Sequence, residues 1–126
     1  MLYEVASNKP LEEIDRGLHE AAARHGFGVI TVHDLRETMR KKGVEFGPAC
    51  RIYEVCNPHQ ARKVLEANGA VSTALPCRIS VYGVEGGFRI ATIKPTAMMA
   101  MFDSPGLADV AREVEDVVVK MIDESA

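Results

Sequence analysis

Apolar residues follow two different rhythms along this chain. Over residues 11–22 and 107–121 they recur every three or four positions, and elsewhere they gather in short runs bounded by Gly, Pro, Asn or Asp. The first rhythm predicts amphipathic helices and the second predicts strands. Met1–Ser7 reads as a strand that ends at the turn Asn8-Lys9-Pro10. Leu11, Ile14, Leu18 and Ala21/Ala22 then mark one side of a helix, with Pro10 at its first position, Glu12 and Glu13 complementing its dipole, and His25-Gly26 closing it. Val29–His33, β-branched and apolar, predicts a second strand. Asp34 is placed to cap a short helix that runs to Lys42 and stops at Gly43.

Cys50–Cys56 predicts a third strand, with Cys50, Ile52, Glu54 and Cys56 on one face and Arg51, Tyr53 and Val55 on the other. Asn57-Pro58 is a cap followed by proline at the first helical position, which predicts a helix ending at Asn68-Gly69. Cys77–Val84 and Phe88–Ile93 flank Glu85-Gly86-Gly87, a hairpin signal. After Lys94-Pro95 comes a methionine-rich stretch (Met98, Met99, Met101, Phe102), read as core filling beneath a loop. Asp103–Gly106 predicts a turn, and the last helix, about Leu107–Glu124, carries Leu107, Val110, Val114, Val117, Val118 and Met121 on one stripe.

The resulting order, β-α-β, short helix, β-α-β-β-α, points to an α+β fold. It consists of a single layer of mostly antiparallel sheet, with two long helices on one face and short helices inserted between strands. The other face is left to solvent, a ligand or a second copy of the chain, and a homodimer is expected.

Composition narrows the function classes. At 126 residues the chain fits one domain, 1–126, long enough to bury roughly two thirds of its unfolded surface without metal or disulfide support. A net charge of −3 with no basic stripe argues against nucleic-acid binding. No apolar run approaches a bilayer span, and residues 1–20 lack the pattern of a signal peptide, so no membrane association is expected. Three cysteines, an odd number, suggest a reducing compartment and a cytoplasmic protein.

Candidate chemistry concentrates in two strings, Cys56-Asn57-Pro58-His59 and Leu75-Pro76-Cys77-Arg78, each setting a cysteine beside a proline where a strand meets a turn. If the fold joins those strand ends, all eight residues share one small volume. Three chemistries follow. In the first and favoured one, the domain is a non-enzymatic small-ligand or anion binder or carrier, with ligand and cofactor unidentified and the amides that open the helix after Asn57 available to an anion. A thiol-dependent enzyme or sulfur carrier would use Cys56, next to a helix N-terminus, or Cys77, with Arg78 lowering its pKa. The third is a metal-binding module with Cys56, His59 and Cys77 as weak candidate ligands; Cys50, about 20 Å along the strand, is too far to join them. Bland alternatives compete with each: buried structural cysteines, an ordinary helix start at Asn57-Pro58, and a solvated or dimer-contact Glu54. His33 gains interest only if its strand end opens onto Cys56.

Cys56-Asn57-Pro58 with Ala61 and Leu65, then Leu75-Pro76-Cys77, together with Phe27-Gly28-Val29-Ile30 and Lys42-Gly43, resemble the family known as domain of unknown function 302, over about Phe27 to Pro95. The resemblance implies a β-α-β4-α fold similar to that of the TATA-binding protein, in keeping with the order read above. Neither DNA binding nor any other established activity follows from it.

Overall fold

The computed structural model describes residues Met1–Ala126, and in it the five expected strands form one antiparallel sheet. In chain order the elements are β1 (Leu2–Ser7), α1 (Leu11–Arg24), β2 (Gly28–Asp34), α2 (Leu35–Lys41), β3 (Cys50–Cys56), α3 (Pro58–Ala67), a 3₁₀ segment (Gly69–Ala74), β4 (Cys77–Val84), β5 (Gly87–Ile93), α4 (Pro95–Met99) and α5 (Leu107–Ser125). Strands lie in the order β1-β5-β4-β3-β2. The expected architecture is therefore present, with α1 and α5 against one face. Two short elements differ from the expectation. Gly69–Ala74, beyond the expected helix end, forms a 3₁₀ turn, and the methionine-rich stretch begins with a helical turn that Pro95 opens. Pro10 is the N-cap of α1 rather than its first helical residue.

Local rules account for the junctions. The Asp34 side chain accepts from the Glu37 amide at 2.9 Å and caps α2, whose own residues are nowhere fully buried. In the β4–β5 hairpin, Gly86 adopts φ +83°, and a Cβ on Gly87 would stand 2.6 Å from the Ser7 carbonyl oxygen, so neither position suits another residue. β2 carries a bulge between Val29 and Thr31, which displaces Ile30 from the pairing pattern and leaves it 59 % exposed.

Alternation decides which side chains reach the helices. Tyr53 and Val55 of β3, Ile79 and Val81 of β4 and Ile90 of β5 point inward, meeting Ile14, Leu18 and Ala22 of α1 and Val118, Met121 and Ile122 of α5 in one cluster of 15 buried residues. The Tyr53 hydroxyl, at the α1 side of this core, donates to Asp15 at 2.7 Å, and Arg51 bonds Glu12 beside it. A second, smaller cluster joins Val64 of α3, Val71, Met99 of α4, and Leu107 and Ala111 of α5. Met99 and Phe102 thus fill a core, as expected for most of the methionine-rich stretch, while Met101 faces solvent. The C-terminus is fastened to the first strand: Ser7 donates to the Ala126 carbonyl at 3.0 Å and Tyr3 to Asp123 at 2.5 Å. No helix is long and apolar enough to cross a membrane.

The opposite sheet face carries no helix. Leu2 and Ile93 lie exposed on it, Ile52 and Tyr82 half-buried, and Glu4 hydrogen-bonds to the Tyr82 hydroxyl. Glu54 is on this face too, 3.0 Å from His33 Nε2 and 3.6 Å from Arg78.

Candidate functional site

Antiparallel pairing brings the start of β2, the end of β3 and the start of β4 to one end of the sheet, with Gly28 opposite Cys56 and Val55 opposite Cys77. α3 leaves that end directly after Cys56, and the 3₁₀ segment returns the chain to it at Leu75-Pro76. Between this end of the sheet, α3, α4 and the first half of α5 lies a cavity of about 280 Å³. It occupies the seam between the two hydrophobic clusters: Phe27, Val55, Cys77 and Val114 come from the larger, and Val64, Met99 and Ala111 from the smaller. Small side chains at Ala61 and Ala111 leave the seam unfilled, and the displaced Ile30 and the exposed Leu65 border it.

Five of the eight residues singled out in the sequence line this cavity: Cys56, Asn57, Leu75, Pro76 and Cys77. Pro58 and His59 do not. They occupy the first and second positions of α3 and are exposed. Nor does Arg78, which follows the inward Cys77 and by alternation sits on the open face beside Glu54. Cys50 lies at the far end of β3, opposite Tyr82, and His33 pairs opposite Ile52, away from Cys56.

These placements correct three expectations. The metal set Cys56, His59 and Cys77 is not assembled, because His59 projects from α3 into solvent while both thiols face the cavity; no three His, Cys, Asp or Glu side chains are grouped for a metal ion. The opening of α3 is not a free anion site. Asn57 Oδ1 accepts from the amides of His59 (2.9 Å) and Gln60 (3.1 Å), the Ala61 amide bonds the Asn57 carbonyl, and Nδ2 donates to the Gly26 carbonyl at 2.9 Å. Asn57 is a cap and a tether, with both ends of its amide engaged. The thiols, finally, are not activated. Burial pushes the Cys56 thiol up, and burial and then the neighbouring Cys56 push Cys77 up to about 11. Arg78 is on the wrong face to reverse that shift. All three cysteines are free.

The wall therefore contains no formally charged side chain, and only Asn57, Gln60 and Ser72 are polar among 18 lining residues, leaving the two thiols aside. Gln60, which sequence reasoning passed over, has a distinctive state. Its Nε2 donates to Glu113 at 3.1 Å, while its Oε1 is buried and has no partner. The helical spacing of Gln60, Ala61, Val64 and Leu65 on α3 was the available signal for this side of the cavity. Phe27, Met99 and Val110 join it only through tertiary packing.

A family model described as "Domain of unknown function DUF302" matches residues 3–125, a longer stretch than the motifs alone mark. Among solved structures, the chain is similar to the crystal structure of the uncharacterized conserved protein DUF302 from Bacillus stearothermophilus. The two share 32 % identity with a TM-score of 0.94, over 99 % of this chain and 98 % of that one. No curated protein matches the chain.

Proposed function

We propose that this chain, which belongs to the domain of unknown function DUF302 family, is a non-enzymatic domain that binds a small, uncharged, largely apolar molecule in the cavity bounded by Cys56-Asn57 and Leu75–Cys77. The observation that carries the reading is the cavity itself: preformed, bordered by Ile30 and Leu65, and walled almost wholly by carbon and sulfur. Uncompensated burial of a charge there would be costly, so an anion is a poor occupant. At about 280 Å³ the space is nearly twice the ~150 Å³ that accommodates benzene, which suits about ten to twelve non-hydrogen atoms. The protonated thiols serve as soft wall atoms rather than nucleophiles.

Titrating butylbenzene into isotopically labelled protein is expected to move amide resonances of α3 and of Leu75–Cys77 in a saturable way. Ala61→Phe, which sends a ring into the space from α3, is expected to weaken that binding by about 10-fold or more, the equivalent of about 1.4 kcal/mol. Shifts that never saturate in the unaltered protein would dispose of the reading.

The same reading places a second copy on the open sheet face, in a cytoplasmic homodimer. Support comes from Leu2, Ile93, Ile52 and Tyr82, which offer apolar surface there, together with charges of both signs (Glu4 and Glu54, Arg78) that an isologous pairing can match. A five-stranded sheet of this length presents on the order of 500 Å² in projection, the right scale for the ~800 Å² of accessible surface that each partner of a stable pair buries. Sedimentation at micromolar concentration is expected to give twice the chain mass, and a monomer there removes the claim.

A further inference from the structure

We infer that the cavity selects ligands carrying one hydrogen-bond donor, a hydroxyl or N–H on an otherwise apolar body, and that Gln60 is the residue that selects them. The inference rests on the cavity reading above and adds the chemical class of the ligand. A buried acceptor without a partner is costly, and native proteins rarely leave one. The Gln60 Oε1 is the single buried side-chain nitrogen or oxygen in the chain without a partner, and Gln60 lines this cavity.

Which end of the amide faces α5 is decided by Glu113. Glu113 offers a carboxylate, which only accepts, so the –NH₂ end of Gln60 must face it and the carbonyl end must turn away. Within the cavity nothing else bonds that oxygen: Asn57 turns its Nδ2 to the Gly26 carbonyl, Ser72 is exposed, and the remaining lining residues, apart from the weakly donating thiols, are apolar. Glu113 is itself exposed and can follow the amide as its terminal torsion, a soft one, turns Oε1 toward a guest. A donor on the ligand then supplies the missing bond. A ligand acceptor at the same place would meet lone pair with lone pair, so an ether or ester gains nothing there. A carboxylate adds the cost of desolvating a charge against a wall with no cation.

The test uses two molecules of nearly the same shape, 4-butylphenol and its methyl ether, 4-butylanisole, titrated calorimetrically into the intact protein and into Gln60→Met. The phenol is expected to bind the unaltered protein about 5- to 10-fold more tightly than the ether, the worth of one net hydrogen bond. In Gln60→Met, whose side chain has the same length and no carbonyl, that preference is expected to vanish, the two molecules then binding with the same affinity. Equal affinity for both molecules in the unaltered protein overturns the role of Gln60 and leaves the cavity reading standing. A preference that survives Gln60→Met overturns it as well. Failure of both molecules to bind the unaltered protein overturns the cavity reading and this inference together.

Discussion

At pH 8, iodoacetamide is expected to alkylate Cys77 about 100-fold more slowly in the folded protein than in the unfolded chain, with the labelled peptides resolved by mass spectrometry. The thiolate is the reacting species. Raising the thiol from 9.0 to about 11 lowers its thiolate fraction at pH 8 by about 100-fold. A more basic thiolate is intrinsically the better nucleophile, which returns about tenfold at most. Restricted approach takes that gain back, since only 7 % of Cys77 is exposed. The sign of the linked stability effect follows. Between pH 9 and 11 the unfolded thiol ionises while the folded one keeps its proton, so the native state binds more protons and stability falls as pH rises. Below pH 9 this contribution is fully present. Comparable rates in folded and unfolded protein would mean an activated thiol and would revive thiol chemistry at this site.

That expectation reverses the lowered pKa that Arg78 suggested, and the reversal was legible in principle. Neighbouring residues on a strand point to opposite faces. A Cys77 that packs with Ile79 and Val81 therefore forces Arg78 onto the face of Ser80 and Tyr82, where it meets Glu54. Adjacency in sequence is the wrong measure of proximity within a strand. The same rule puts Cys56 and Cys77 on opposite sides of the sheet. They nevertheless line one cavity, because both sit where their strands stop and the space wraps that edge. What made the two strings informative was their position at strand ends, and local turn chemistry reveals strand ends well.

The architecture was readable for a related reason. Caps and breakers at Asp34, Asn57-Pro58 and Gly86-Gly87 fix where elements begin and end, and the stripes of α1 and α5 fix which face they bury. Gly69–Ala74 and Pro95–Met99 were harder to read, because short helical turns carry too few residues to show a period. The cavity was legible only in part. The Ala61, Val64 and Leu65 stripe signals an apolar face on α3, but Phe27, Met99 and Val114 reach it from segments whose relative placement depends on packing alone. The unpaired oxygen of Gln60 could not be read at all, since it depends on where Glu113 stands on α5.

Replacing Asn57 by alanine is expected to destabilise the fold by about 2–3 kcal/mol, measured by urea unfolding, and to speed amide exchange across the first turn of α3. Two losses add. Removing Oδ1 leaves the His59 and Gln60 amides without their cap, a loss of about 1 kcal/mol, up to about 2 in protein hosts. Removing Nδ2 strands the Gly26 carbonyl, which adds about 1 kcal/mol. Gly26 is itself held at φ +74°, and its bond to Asn57 ties the segment entering β2 to the helix that leaves β3. Asn57→Asp separates the two contributions. It keeps the cap and places a negative charge at a helix N-terminus, worth about 0.5 kcal/mol, while setting a carboxylate oxygen against the Gly26 carbonyl where a donor had been. The aspartate variant should therefore lose about 1 kcal/mol and keep α3 protected from exchange. Because Asn57 also forms part of the cavity wall, the alanine variant is expected to bind butylbenzene more weakly even under conditions where it is fully folded. An alanine variant within 0.5 kcal/mol of the unaltered protein would show that the cap and tether do little, and the anion site rejected at the head of α3 would have to be reconsidered.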